Sequence, residues 1–72
     1  MIPVESPALR LSDVAARLAI SRSSAHRLVI SGALRGFLVG STWRVLAVDF
    51  EAYVEQQRAD AEARYQRARE PR

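Results

Sequence analysis

The run Ser21-Arg22-Ser23-Ser24-Ala25-His26-Arg27-Leu28 is where side chains capable of chemistry lie closest together in this 72-residue chain. Its two guanidiniums are planar donors suited to bidentate pairing with phosphate or with the O6/N7 edge of guanine. The hydroxyls can donate to phosphate at a helix N-terminus, and the imidazole can reach a base edge or the backbone. Helical spacing sorts these groups. With Ala25, Leu28 and Val29 turned to a core, Ser23, His26, Arg27 and Ile30 form an i, i+3, i+4, i+7 stripe with Arg22 beside it. The chain has one histidine and no cysteine, and no Gly-rich phosphate loop or converging carboxylate pair. Neither a nucleophile with its base nor a metal ligand set can be assembled from these residues. The expectation is therefore a binding surface and not an enzyme, with no cofactor.

Presenting that stripe requires a helix held between others. Pro3 and Pro7 predict an extended leader over residues 1–8. Ser12-Asp13 predicts the cap of a first helix running to Leu18, with Val14, Ala15 and Leu18 inward and Asp13 favourable at the positive end of the dipole. Ala19-Ile20 reads as a tight turn, Ile20 plugging the space between two helices. Ser21 caps the second helix, which Gly32 stops in the left-handed conformation. Phe37-Leu38-Val39 and Trp43-Arg44-Val45-Leu46 flank Gly40-Ser41-Thr42, the pattern of a hairpin. Trp43 is expected to pack beneath that hairpin as core, with stacking on a ligand as the weaker reading. Asp49 predicts the cap of a last helix whose Phe50, Tyr53 and Val54 face inward. Its continuation from Glu55 to Arg69 is polar, with Asp60 and Arg64 at ion-pair spacing. Beyond about residue 58 it offers little apolar surface and is expected to fray in an isolated monomer. Pro71 ends any helix.

Length and composition restrict the class. A chain this short makes one domain with a small core and, lacking cysteine, no disulfide staples. The sequence shows neither a basic N-terminal segment leading into an apolar run nor an 18-residue apolar stretch, so the expectation is a cytoplasmic protein without a membrane partner. The net charge of +3 is unevenly placed. Residues 1–50 carry six arginines against Glu5, Asp13 and Asp49, whereas residues 51–72 carry five arginines against five acids. Every basic side chain is arginine, which suits bidentate contacts and is equally the mark of a GC-rich genome.

Helix, tight turn, second helix and hairpin, in that order, make the expected fold mainly α with a small β-hairpin, a winged helix-turn-helix. The domain spans residues 9–57, and residues 58–72 form a polar helical extension. The run Val14-Ala15, Ile20-Ser21-Arg22-Ser23-Ser24, Arg27-Leu28, Ser31-Gly32-Ala33-Leu34, Val39-Gly40, Trp43-Arg44-Val45 and Phe50-Glu51-Ala52-Tyr53-Val54 resembles the excisionase-type, MerR-like winged helix-turn-helix family. The resemblance covers residues 9 to about 55. It implies double-stranded DNA as partner, with Ser21, Arg22, Ser23, Ser24, His26, Arg27 and Ile30 of the second helix as its contacts. In the wing, Arg44 and Arg35 at its base would reach the DNA backbone or adjacent minor groove, and Ser41 and Thr42 would give neutral hydrogen bonds.

In biological role the resemblance implies three alternatives. One is a phage or mobile-element excisionase that bends attachment-site DNA and directs an integrase, acting in a bacterium or phage-infected cell. The others are a small transcription regulator and a DNA-binding antitoxin whose C-terminal helix binds a toxin. Val54, Arg58, Ala61, Tyr65 and Ala68 form a thin stripe for a protein partner, whether integrase, toxin or a second copy. The chain departs from the family pattern where Ile30, Leu38, Ser41 and Thr42 occupy positions often basic in relatives, and where Ala19 replaces a usual turn glycine. Fewer cations predict weak monomer binding and a shallow salt dependence.

Overall fold

The computed structural model describes residues 7–69, so residues 1–6 of the extended leader expected over 1–8 and the helix stop expected at Pro71 lie outside the described residues. The elements are β1 (Ala8–Arg10), α1 (Leu11–Leu18), α2 (Arg22–Ile30), β2 (Phe37–Val39), β3 (Thr42–Leu46) and α3 (Ala47–Arg69). The fold is mainly α with a small antiparallel sheet, a winged helix-turn-helix. Its sheet has three strands in the order β1-β3-β2, one more than the expected hairpin. The additional strand begins at Ala8, the last residue of the expected leader, and runs into the start of the expected domain. Ala8, Leu9 and Arg10 pair with Leu46, Val45 and Arg44, and the Ala47 amide extends the pairing by donating to the Pro7 carbonyl at 2.8 Å.

Both α1 and α3 begin earlier than their acidic residues suggest. Helix α1 starts at Leu11 with Arg10 as N-cap, so Ser12 lies inside the helix, and Asp13 accepts from the Arg10 amide at 3.1 Å. The carboxylate thus caps backward from the third helical position, satisfying an amide that helix geometry leaves without a partner. Asp49 likewise sits within the first turn of α3, which starts at Ala47. The turn after α1 closes as a Schellman motif: the Ile20 amide donates to the Ala15 carbonyl at 3.0 Å and the Ala19 amide to that of Ala16 at 3.3 Å. This geometry requires left-handed backbone at Ala19, whose φ is 56°. Three residues, Ala19-Ile20-Ser21, therefore separate the helices.

The core comprises Leu9, Leu11, Val14, Ala15, Ala25, Val29, Leu34, Val45 and Phe50, with Leu18, Ile20, Leu28, Trp43, Tyr53 and Val54 packed on its edge. Trp43 packs against the core as expected, but it is only partly buried. It shares the inner face of β3 with Val45, but Val45 lies opposite Leu9 in the middle of the sheet and is fully buried. Trp43 lies opposite Leu38, toward the hairpin end, and stays half-buried. Leu28 is also half-buried. The hairpin turn is two residues, Gly40-Ser41, because Thr42 already pairs with Val39. Gly40 has φ 65° and Ser41 does not share the positive region, as in a type II′ turn.

Candidate nucleic-acid interface

Helix α2 owes its placement to chemistry at its two ends. The Ser21 hydroxyl accepts from the Ser24 amide at 3.1 Å and donates to the Ser24 hydroxyl at 2.9 Å. At the far end Gly32 has φ 85° and its amide donates to Val29 at 3.2 Å, while the Leu34 amide donates to Leu28 at 3.1 Å. Ala25 and Val29 are buried between these caps, which fixes the rotation of the helix. Arg22, Ser23, His26, Arg27 and Ile30 consequently all face solvent, Ile30 at 59% exposure.

The electrostatics of this face favour an anion. The first turn of α2 contains no acidic residue, so the positive end of its dipole is uncompensated. Neither Arg22 nor Arg27 is in an ion pair among the described residues. The Arg27 Nη2 donates to the Ser24 hydroxyl at 3.3 Å, drawing its guanidinium back toward the N-terminus of the helix. Ser24 is half-buried and serves as acceptor for both Ser21 and Arg27, but its own proton is not spent in these bonds. Arg22, Ser23, His26 and Arg27, with Leu11 from the start of α1, line one open concavity.

The wing is positioned separately. Arg44 lies on the outer face of β3, half-buried, and its Nη1 donates to the Trp43 carbonyl at 2.9 Å. Arg35, Ser41 and Thr42 are exposed. So are Phe37, Leu38 and Val39, making β2 an apolar edge strand. Gly36 connects wing to helix, a role that no reading of the sequence assigned. A Cβ there would sit 2.8 Å from Val29 Cγ1 and 3.2 Å from the Arg44 carbonyl oxygen. Its φ is not in the left-handed region, so the need is for space. A lone glycine at the foot of a hairpin was the only signal available.

The stripe expected along α3 divides. Val54 is half-buried against the core, whereas Arg58, Ala61, Tyr65 and Ala68 are exposed. Arg58 approaches Glu55 at 3.8 Å, with both side chains 76% exposed. The Asp60 carboxylate accepts from Gln56 at 3.0 Å in place of the expected partner Arg64. The Arg69 guanidinium lies 5.3 Å from the centre of the Tyr65 ring and donates to its hydroxyl at 3.2 Å. Among the described residues, no helix is long and apolar enough to cross a membrane.

Comparison with known proteins gives one positive result. No curated protein and no solved structure matches the chain significantly. Residues 8–58, from the first strand to the part of α3 that leaves the core, match the family described as a helix-turn-helix domain. The chain belongs to the helix-turn-helix domain family.

Proposed function

We propose that this protein binds double-stranded DNA sequence-specifically by setting α2 in the major groove, the wing lying against the flanking backbone. The observation that carries this reading is the α2 face: two guanidiniums without acidic partners, flanking Ser23 and His26 on a rigidly capped helix whose first turn holds no carboxylate. On such a surface phosphate contacts give register and affinity, and Arg22 or Arg27 paired to guanine gives sequence. No step of catalysis and no cofactor belongs to this function.

Within that function the role we favour is an excisionase of a phage or mobile element, which bends attachment-site DNA and turns an integrase toward excision. One feature supports it over a regulator or an antitoxin. The DNA-facing surface has few cations, which suits cooperative occupancy of adjacent sites more than tight single-site binding. Past Val54, α3 is exposed on every side, an uncovered rod on which a neighbouring protomer, an integrase or a toxin can dock, so it fits all three roles. Selection of sites from a random duplex pool, followed by gel shifts on the selected DNA, tests the primary reading. Wild type should form a discrete complex that Arg22→Ala and Arg27→Ala weaken. Wild-type affinity in both variants would sink the assignment of α2. Excision in the presence and absence of the protein, with the integrase of its own element, tests the role.

A further inference from the structure

The register of β1 against β3 places Arg10 directly opposite Arg44. Directly opposed residues of an antiparallel pair project from the same face, with Cβ atoms roughly 4.5–5.5 Å apart, and like charges in that relation are destabilising. Alternation along the strands puts Ala8, Arg10, Phe37, Val39, Thr42, Arg44 and Leu46 on this outer face, since Leu9 and Val45 fill the core. None of the seven is acidic. Arg10 is exposed and has no side-chain partner among the described residues, and Arg44 is held only by the carbonyl of its neighbour Trp43. Phe37 stands opposite Arg44 on its other side, giving the guanidinium an apolar flank. Such a pair is a seat for one anion with two acceptor oxygens, bound by both forks.

Its place in the fold says which anion. Arg10 is the N-cap of α1, and the next residue, Leu11, lines the concavity that Arg22, Ser23, His26 and Arg27 share. The arginine pair therefore stands one residue along the chain from that concavity, on the outer face of the sheet that carries the wing. Resting on the DNA-binding reading above, we propose that Arg10 and Arg44 together clamp one phosphodiester of the DNA backbone beside the groove that α2 enters.

The test measures binding to a mixed-sequence duplex and to a selected site as salt is varied. The Arg10→Ala variant should fold normally, because the structural bond at this position uses the main-chain amide, which donates to Asp13 in either protein. A thermal melt checks this. Its slope of log affinity against log salt should fall by about 0.9, the value for one phosphate contact, equally on both duplexes, and Arg10→Lys should restore most of the slope. Because one phosphate is shared, Arg10→Ala with Arg44→Ala should lose less than the product of the single losses. Should Arg10→Ala keep the wild-type slope while Arg27→Ala is impaired, the clamp is wrong and the DNA-binding reading stands. Should wild type bind neither duplex, both fall. Multiplicative losses in the double variant would overturn the shared phosphate. Specific competition by inorganic phosphate, lost in Arg10→Ala with the duplex slope intact, would reassign the pair to a free anion.

Discussion

A left-handed alanine costs on the order of 1–2 kcal/mol relative to ordinary backbone, and Ala19 adopts it because the Schellman closure of α1 leaves no other path into α2. Ala19→Gly removes that strain while restoring freedom to the unfolded chain, so a net gain of about 0.5–1 kcal/mol is expected, read as a higher thermal midpoint with unchanged DNA affinity. Gly36→Ala works the other way. Val29 is buried and β-branched, so its methyl cannot swing clear of the new Cβ. A loss of about 1–3 kcal/mol is expected by overpacking, measurable by denaturant titration. For Arg27→Ala the expectation is a binding loss of about 1–3 kcal/mol if the contact is bidentate to a base, with the melting curve unmoved. Ser21 and Gly32 were legible because their chemistry is local, a hydroxyl for an orphan amide and a missing Cβ for positive φ. Ser12 and Asp49 were read as caps too far along the chain, because a residue inside the first turn looks locally like one that precedes it, whereas Asp13 stands at the positive end of α1 as expected.

At the scale of elements, Trp43 and Val45 share one face of β3 but not one depth. Period-2 patterning says which way a side chain points, and only the neighbouring strand says whether it is covered. That neighbour, β1, is three residues long and drawn from far along the chain, so nothing in its local sequence announced it. Leu9 and Leu11 entered the core with it. Because Trp43 is only partly buried, Trp43→Ala should cost about 2 kcal/mol, below the roughly 3–5 kcal/mol of a fully buried aromatic. Tryptophan fluorescence of the wild type should show partial quenching by a small aqueous quencher. A variant that melts like wild type yet loses DNA binding would make Trp43 a DNA contact.

The whole molecule is elongated, 53 × 28 × 19 Å, because α3 runs 23 residues and only its first two turns meet the core. Deleting residues 59–72 should leave the melting transition and single-site binding intact, while cooperative assembly on adjacent sites or recruitment of a partner is lost. Circular dichroism and footprinting on tandem sites read the two effects separately, and a truncated chain that cannot fold would refute the division. The missing side chain at Gly36 acts on this scale too. It lets the segment leaving α2 pass close to both Val29 of that helix and the Arg44 carbonyl of β3, so α2 and the wing are joined like the two jaws of a caliper. DNA of another local width cannot be met by adjusting the jaws and has to be deformed to fit them. Discrimination should then extend to base pairs that no side chain touches, flexible pyrimidine–purine steps between the two contacts binding better than a stiff A-tract placed there.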